Sequence, residues 1–122
     1  MICEQNKRRS RTAEAIFKND QRFAIRSVGL SPKSDRKIRE KDIIWADLIL
    51  VMETRYRNKL MESYPLIDMP EIEILHIPDD YEFMDAELIS LLEDGVNHVI
   101  IDKFGLWIRS HKQLNNALSW ID

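Results

Sequence analysis

Residues 47–52 read DLILVM, one acidic residue followed by five apolar ones without a polar interruption. A strand with one wet face alternates apolar and polar side chains. A short continuous run such as this is the pattern of a strand covered on both faces, as in a parallel sheet. Two further stretches have strand character. Phe23-Ala24-Ile25 with Ser27-Val28 is closed by Gly29 and the turn-prone Ser31-Pro32, and Ile72 to Ile77 is stopped by Pro78. Met1 and Ile2 read as the remnant of a first strand.

Helical spacing fills the intervals. Ala13, Ile16 and Phe17 share one face, as do Tyr56, Leu60 and Tyr64, and Leu88, Leu91 and Leu92. Ile38 and Trp45 lie seven apart in a segment from Ile38 to Ala46 that leads into the central run. The period returns in Phe104, Trp107, Ile108 and His111, then in Leu114, Leu118 and Ile121, so residues 97–122 are expected to form a C-terminal helical tail. Such a tail would pack on the sheet or pair with a second subunit. Strands alternating with helices predict an α/β domain with an open, mostly parallel sheet, whose ligands bind beyond the carboxyl ends of the strands.

With 122 residues, 44% hydrophobic and 32% charged, the chain is expected to form a single domain over 1–122 with a core that needs no staples. A net charge of −3 argues against a general nucleic-acid binder, and KRRSR at 7–11 reads as a solvated basic face. No apolar run approaches the ~20 residues of a bilayer span, so no membrane partner is expected. The lone cysteine, Cys3, can form neither an internal disulfide nor a thiolate metal site by itself; a reducing, cytoplasmic setting is expected, with no metal and no cofactor.

Cys3 opens the chain's densest chemistry. Five residues, Glu4, Gln5, Asn6, Lys7 and Arg8, separate it from Arg9 and Ser10. A thiol attacks phosphorus only as thiolate, and nearby cations with a helix N-terminus bring its pKa from ~8.5 into the 3.5–7.5 range. A helix beginning near Ser10 would supply that positive end, and turned backbone N–H groups of residues 4–9 would cradle a phosphate. Arg9 can hold two phosphate oxygens at once, which a lysine cannot. The Ser10 hydroxyl can donate to the thiolate when it leaves. The reaction also needs a carboxyl to protonate the leaving oxygen and then activate water. Asp79 and Asp80 are candidates, and Asp79 is favoured because it directly follows Pro78. His76 lies in a strand pattern and reads as structural; His98 and His111 suggest nothing catalytic.

The stretch CEQNKRRSRTAEAIF (3–17) resembles the phosphate-loop signature of low-molecular-weight protein tyrosine phosphatases. SVGL at 27–30 and WADLILVME at 45–53 are similar to that family's second and third strands. IPDDYEFMDAELISLL at 77–92 is similar to its general-acid loop. Four motifs fall in the family's order across residues 2–96, closest to a bacterial branch of predicted protein tyrosine phosphatases. The resemblance implies a four-stranded parallel sheet with helices on both faces, flavodoxin-like in outline. It implies Cys3 as nucleophile, Arg9 as phosphate-binding arginine, Ser10 as the thiolate-stabilising hydroxyl and Asn6 as the brace of the loop. Asp79 would be the general acid, and Tyr81 an aromatic at the pocket rim. Glu4, Gln5, Lys7 and Arg8 complete the substrate-binding loop.

The chain departs from that pattern at Gln5, where glycine is frequent, at Arg11, where proline is usual, and at Asp80, which replaces the proline after the acid. Only Met1 and Ile2 precede Cys3, whereas the family's first strand is longer and lies mid-sheet. An apolar segment added ahead of Ile2 is therefore expected to raise stability and activity. The expected function is a cysteine-dependent phosphatase for phosphotyrosine-like monoesters, on a phosphorylated protein or a small phosphomonoester. The alternative is a catalytically impaired phosphate- or phosphoprotein-binding module with the same loop. Arsenate reduction, which shares such a loop, needs relay cysteines that this chain lacks.

Overall fold

The structure is a computed structural model and describes residues 8–105 and the backbone of 117–121. The elements run α1 (Arg9–Phe17), β1 (Ala24–Val28), α2 (Glu40–Trp45), β2 (Leu48–Val51), α3 (Thr54–Ser63), β3 (Glu71–Ile74), α4 (Ala86–Phe104) and β4 (Ala117–Ile121). The strands form a sheet in the order β1-β4-β2-β3, and every pairing is parallel. An α/β architecture with a parallel sheet is what the alternation of strand and helix patterns led to expect.

The apolar run at the centre does what its composition demands. Leu48, Leu50 and Met52 enter one core cluster with Ala13, Phe17, Leu88, Leu92, Val96 and Ile100 of α1 and α4. Ile49 and Val51 enter another with Ile43 of α2 and Tyr56 and Leu60 of α3. Alternate residues of one short strand thus serve both cores, and all of 48–52 are buried.

Helix α4 is longer than the leucine spacing suggested, and it takes in Phe104, which the sequence had placed in the tail. Its ends are well specified. The Asp85 carboxylate accepts hydrogen bonds from the N–H groups of Glu87 and Leu88, and Gly105 closes the helix at φ 65°, a left-handed conformation that costs glycine nothing.

Two expectations about the strands are corrected. Residues 117–121 form a strand, not the end of a helical tail, because the sheet has a position between β1 and β2 whose backbone groups on both sides they satisfy. Met1 and Ile2, expected to contribute the mid-sheet strand, lie outside the described residues, and β4 occupies the position beside β1. The third strand stops at Ile74 and not at Ile77: His76 adopts φ 57°, which breaks the extended run. The backbone nevertheless stays tethered, since Leu75 N–H donates to the Val51 carbonyl at 2.9 Å and Ile77 N–H to that of Met52 at 3.0 Å. The segment from Ile38 is helical only over Glu40–Trp45.

Candidate active site

The carboxyl ends of β2 and β3 and the start of α1 converge on one side chain. Arg9 is the first residue of α1, and it is completely buried. Its Nη1 donates to Glu53 Oε2 and to the Ile77 carbonyl, both at 2.8 Å. Its Nε lies 3.9 Å from Asp79 Oδ1, and its guanidinium carbon sits 5.9 Å from the centre of the Tyr56 ring. Two segments distant in sequence, the end of β2 and the loop after β3, are thus held to the beginning of α1 by one planar cation. Lysine could not make these divergent contacts.

Asp79 is held in a setting unlike that of a surface carboxylate. Its Oδ1 is buried and has no hydrogen-bond donor among the described residues. Burial pushes its pKa above the ordinary value of 3.8, although the positive charges of Arg9 and Arg8 pull the other way. The nearby Glu53 charge adds to the upward push. Glu53 itself goes down. Burial opposes its ionisation, but hydrogen bonding and positive charge, Arg9 among them, outweigh it. The two carboxyls around Arg9 are therefore driven apart in acidity, the arrangement by which one carboxyl keeps a proton to give while its neighbour stays charged.

The acid loop is anchored to α1 as well. Met84 N–H donates to Thr12 Oγ1 at 3.0 Å, and Met84 stands at φ 63°. Between them, Ile77, hydrogen-bonded to Met52 just past β2, and Met84, hydrogen-bonded to α1, fix both ends of the stretch that carries Asp79. An open groove of ≈ 400 Å³ lined by Glu53, Thr54, Arg55, His76, Ile77 and Pro78 flanks it.

Of the residues singled out by sequence, Arg9 and Asp79 are brought together. Ser10 is buried in the first turn of the same helix. Arg8 is exposed and lies 3.8 Å from the exposed Glu82, a weak surface pair. Tyr81 is half-buried and packs against the α1–α4 cluster. Asp80 is exposed. Cys3, Glu4, Gln5, Asn6 and Lys7 lie outside the described residues. His76, read as part of a strand, is exposed at a positive φ on the groove. Glu53 was not singled out; its position one residue beyond the apolar run, at the carboxyl end of a parallel strand, was the available signal. Thr12 had none.

Among the described residues no group of three or more His, Cys, Asp or Glu side chains could hold a metal ion. No helix among them is long and apolar enough to cross a membrane. No family model matches the chain, and neither a curated protein nor a solved structure matches it.

Proposed function

We propose that the chain is a cysteine-dependent phosphatase of phosphotyrosine-like monoesters, with the flavodoxin-like sheet of low-molecular-weight phosphatases flanked by helices on both faces. The observation that carries the reading is the meeting of a buried arginine with a carboxyl of raised pKa at the carboxyl ends of parallel strands. A permanent cation is suited to the phosphoryl oxygens, and a carboxyl that favours its proton is suited to a leaving alkoxide or phenoxide. The motif CEQNKRRS supplies the nucleophile immediately ahead of that arginine.

In the first step the Cys3 thiolate attacks phosphorus while the Arg9 guanidinium holds equatorial oxygens, whose negative charge is best stabilised by fixed donors. The P–O bond to the alcohol breaks as the S–P bond forms, and Asp79 delivers its proton to the departing oxygen. In the second step the Asp79 carboxylate takes a proton from water, and the water oxygen attacks the phosphocysteine. The thiolate leaves, eased by the Ser10 hydroxyl, and inorganic phosphate is released. Glu53 holds Arg9 in place throughout.

The test is hydrolysis of p-nitrophenyl phosphate by the purified chain. Turnover that Cys3→Ser abolishes is expected, while vanadate still protects the variant against thermal unfolding. A folded chain that binds vanadate without turning over substrate would favour the binding-module reading instead.

A further inference from the structure

We infer that Thr12 is a positioning residue for Asp79: its buried hydroxyl holds the far end of segment 77–84 and thereby keeps the Asp79 carboxyl against Arg9. The backbone carries this. Residues 75–85 form neither helix nor strand, so no ladder fixes them. Among the described residues only two other than glycine stand at positive φ, His76 at 57° and Met84 at 63°, and they bracket the stretch that holds Asp79. Such angles cost free energy in a residue with a side chain, and they persist only where the surroundings over-determine them.

The two ends are held differently. Around His76 the chain is pinned on both sides: Leu75 N–H donates to the Val51 carbonyl, Ile77 N–H to that of Met52, and the Ile77 carbonyl accepts from Arg9 Nη1. Around Met84 apolar burial does little, since Phe83 is 52% and Met84 41% exposed. Tyr81 reaches the α1–α4 cluster, but the Arg8–Glu82 pair is exposed and weak. Asp85 N–H donates to the Glu82 carbonyl within the same segment, and the Asp85 side chain caps α4. The link from Met84 to a distant element is its own N–H, which donates to Thr12 Oγ1 at 3.0 Å.

Thr12 suits this task. Three positions after Arg9, it lies on the same side of α1, and both side chains are completely buried. Valine would fill the same space, so packing alone does not call for a hydroxyl; a buried hydroxyl must be partnered, and the partner here is a loop amide. One helix thus supplies the cation at the near end of the segment and the acceptor at its far end. Without the acceptor Met84 is free to leave positive φ, and Asp79, five residues before it, loses its fixed distance from Arg9. The role in turnover rests on the phosphatase reading; the tether itself does not.

The test compares the unmodified chain with Thr12→Val, which removes the acceptor at nearly constant volume, and Thr12→Ser, which keeps it, at a temperature where all are folded. Amide hydrogen exchange comes first. The Met84 amide is expected to exchange slowly in the parent and in Thr12→Ser, and about five- to tenfold faster in Thr12→Val, the scale of one hydrogen bond, while the Ile77 amide is unchanged. A parent whose Met84 amide exchanges as fast as in an unstructured peptide, or equal rates in all three proteins, overturns the inference. Kinetics follow. Thr12→Val is expected to lower kcat with phenyl phosphate about tenfold, part of the roughly 10²–10⁴-fold that a positioned acid supplies, and to change kcat with p-nitrophenyl phosphate little. Thr12→Ser is expected to stay near the parent on both substrates. Equal losses on both substrates, or a Thr12→Ser as impaired as Thr12→Val, would reduce Thr12 to packing and remove the positioning role. Should Thr12→Val not fold, the parent's Met84 amide and the Thr12→Ser kinetics decide. A parent without turnover defeats the phosphatase reading, and exchange at Met84 still decides the tether.

Discussion

Two arginines are buried among the described residues, and they sit in different kinds of company. Arg22 is 2% exposed and is gripped by its own neighbourhood: its Nη2 donates to Asp20 Oδ2 and to Asn97 Oδ1 at 2.7 Å each, and its Nε to Asp20 Oδ1 at 3.0 Å. Burial opposes the ionisation of Asp20, but the hydrogen bonds and charge of Arg22 outweigh it and hold the carboxyl below its usual range. Arg9 is equally buried, yet the carboxyl beside its Nε is pushed the other way, towards keeping its proton. Burial of a cation therefore does not by itself separate the two corners; what differs is the second carboxyl at Arg9, Asp79, whose acidity is shifted opposite to that of Glu53. Arg22 meets one carboxylate fork to fork, whereas Arg9 holds the Glu53 carboxylate through Nη1 and has a second carboxyl, Asp79, of raised pKa beside its Nε.

Substitutions should separate the two arginines. Arg9→Lys is expected to lower kcat/KM for p-nitrophenyl phosphate by about 10²–10³, the scale of a lost oxyanion donor, while Arg22→Lys leaves kcat nearly unchanged in folded protein. Equal losses would erase the distinction. Asp79→Asn is expected to cost about 10²-fold with phenyl phosphate and much less with p-nitrophenyl phosphate, whose leaving group needs little protonation. Asp80→Asn should affect both substrates less; a reversed order would move the acid to Asp80.

In stability the ranking inverts. Arg22→Ala leaves Asp20 and Asn97 without their shared donor and should cost about 2 kcal/mol in denaturant unfolding, less than a fully buried pair because Asp20 stays partly exposed. The smallest effect concerns pH. Asp20 has a folded-state pKa below its unfolded one, so its contribution is present above the unfolded value and is lost as pH falls through the folded one. Asp79 has a raised folded-state pKa, so its protonated form favours the fold at low pH, and that contribution is lost as pH rises through the folded pKa. At pH 7, Asp20→Asn should therefore lower the melting temperature and Asp79→Asn should raise it slightly. Shifts of the same sign would contradict the comparison.

The sequence made one of these corners legible and hid the other. Arg9 and Asp79 stood in motifs whose spacing has a chemical reason, and Leu48–Val51 had the continuous apolar pattern of a strand covered on both faces. Arg22 gave no signal, because its partner Asn97 is 75 positions away on α4. Glu53 was quoted within a motif but carried no weight until Arg9 was seen against it. Ala117–Ile121 misled for a different reason: Leu114, Leu118 and Ile121 fit a helical period, and five residues are too few for periodicity to distinguish strand from helix. The vacancy between β1 and β2 decided it, and that is a property of the whole sheet. His76 continued a strand pattern in sequence, yet the backbone turns there to bring Asp79 back over Arg9.

The most direct test of the account is to trap its intermediate. Asp79→Asn should transfer a phosphoryl group from p-nitrophenyl phosphate to Cys3 and then release it slowly, because the carboxylate that activates water is gone. Rapid acid quenching followed by peptide mass spectrometry is expected to find the phosphoryl group on the peptide that contains Cys3, and to find none in the Cys3→Ser, Asp79→Asn double variant. A phosphoryl group on any other residue, or none at all from a folded protein that hydrolyses the substrate, would contradict a mechanism built on Cys3, Arg9 and Asp79.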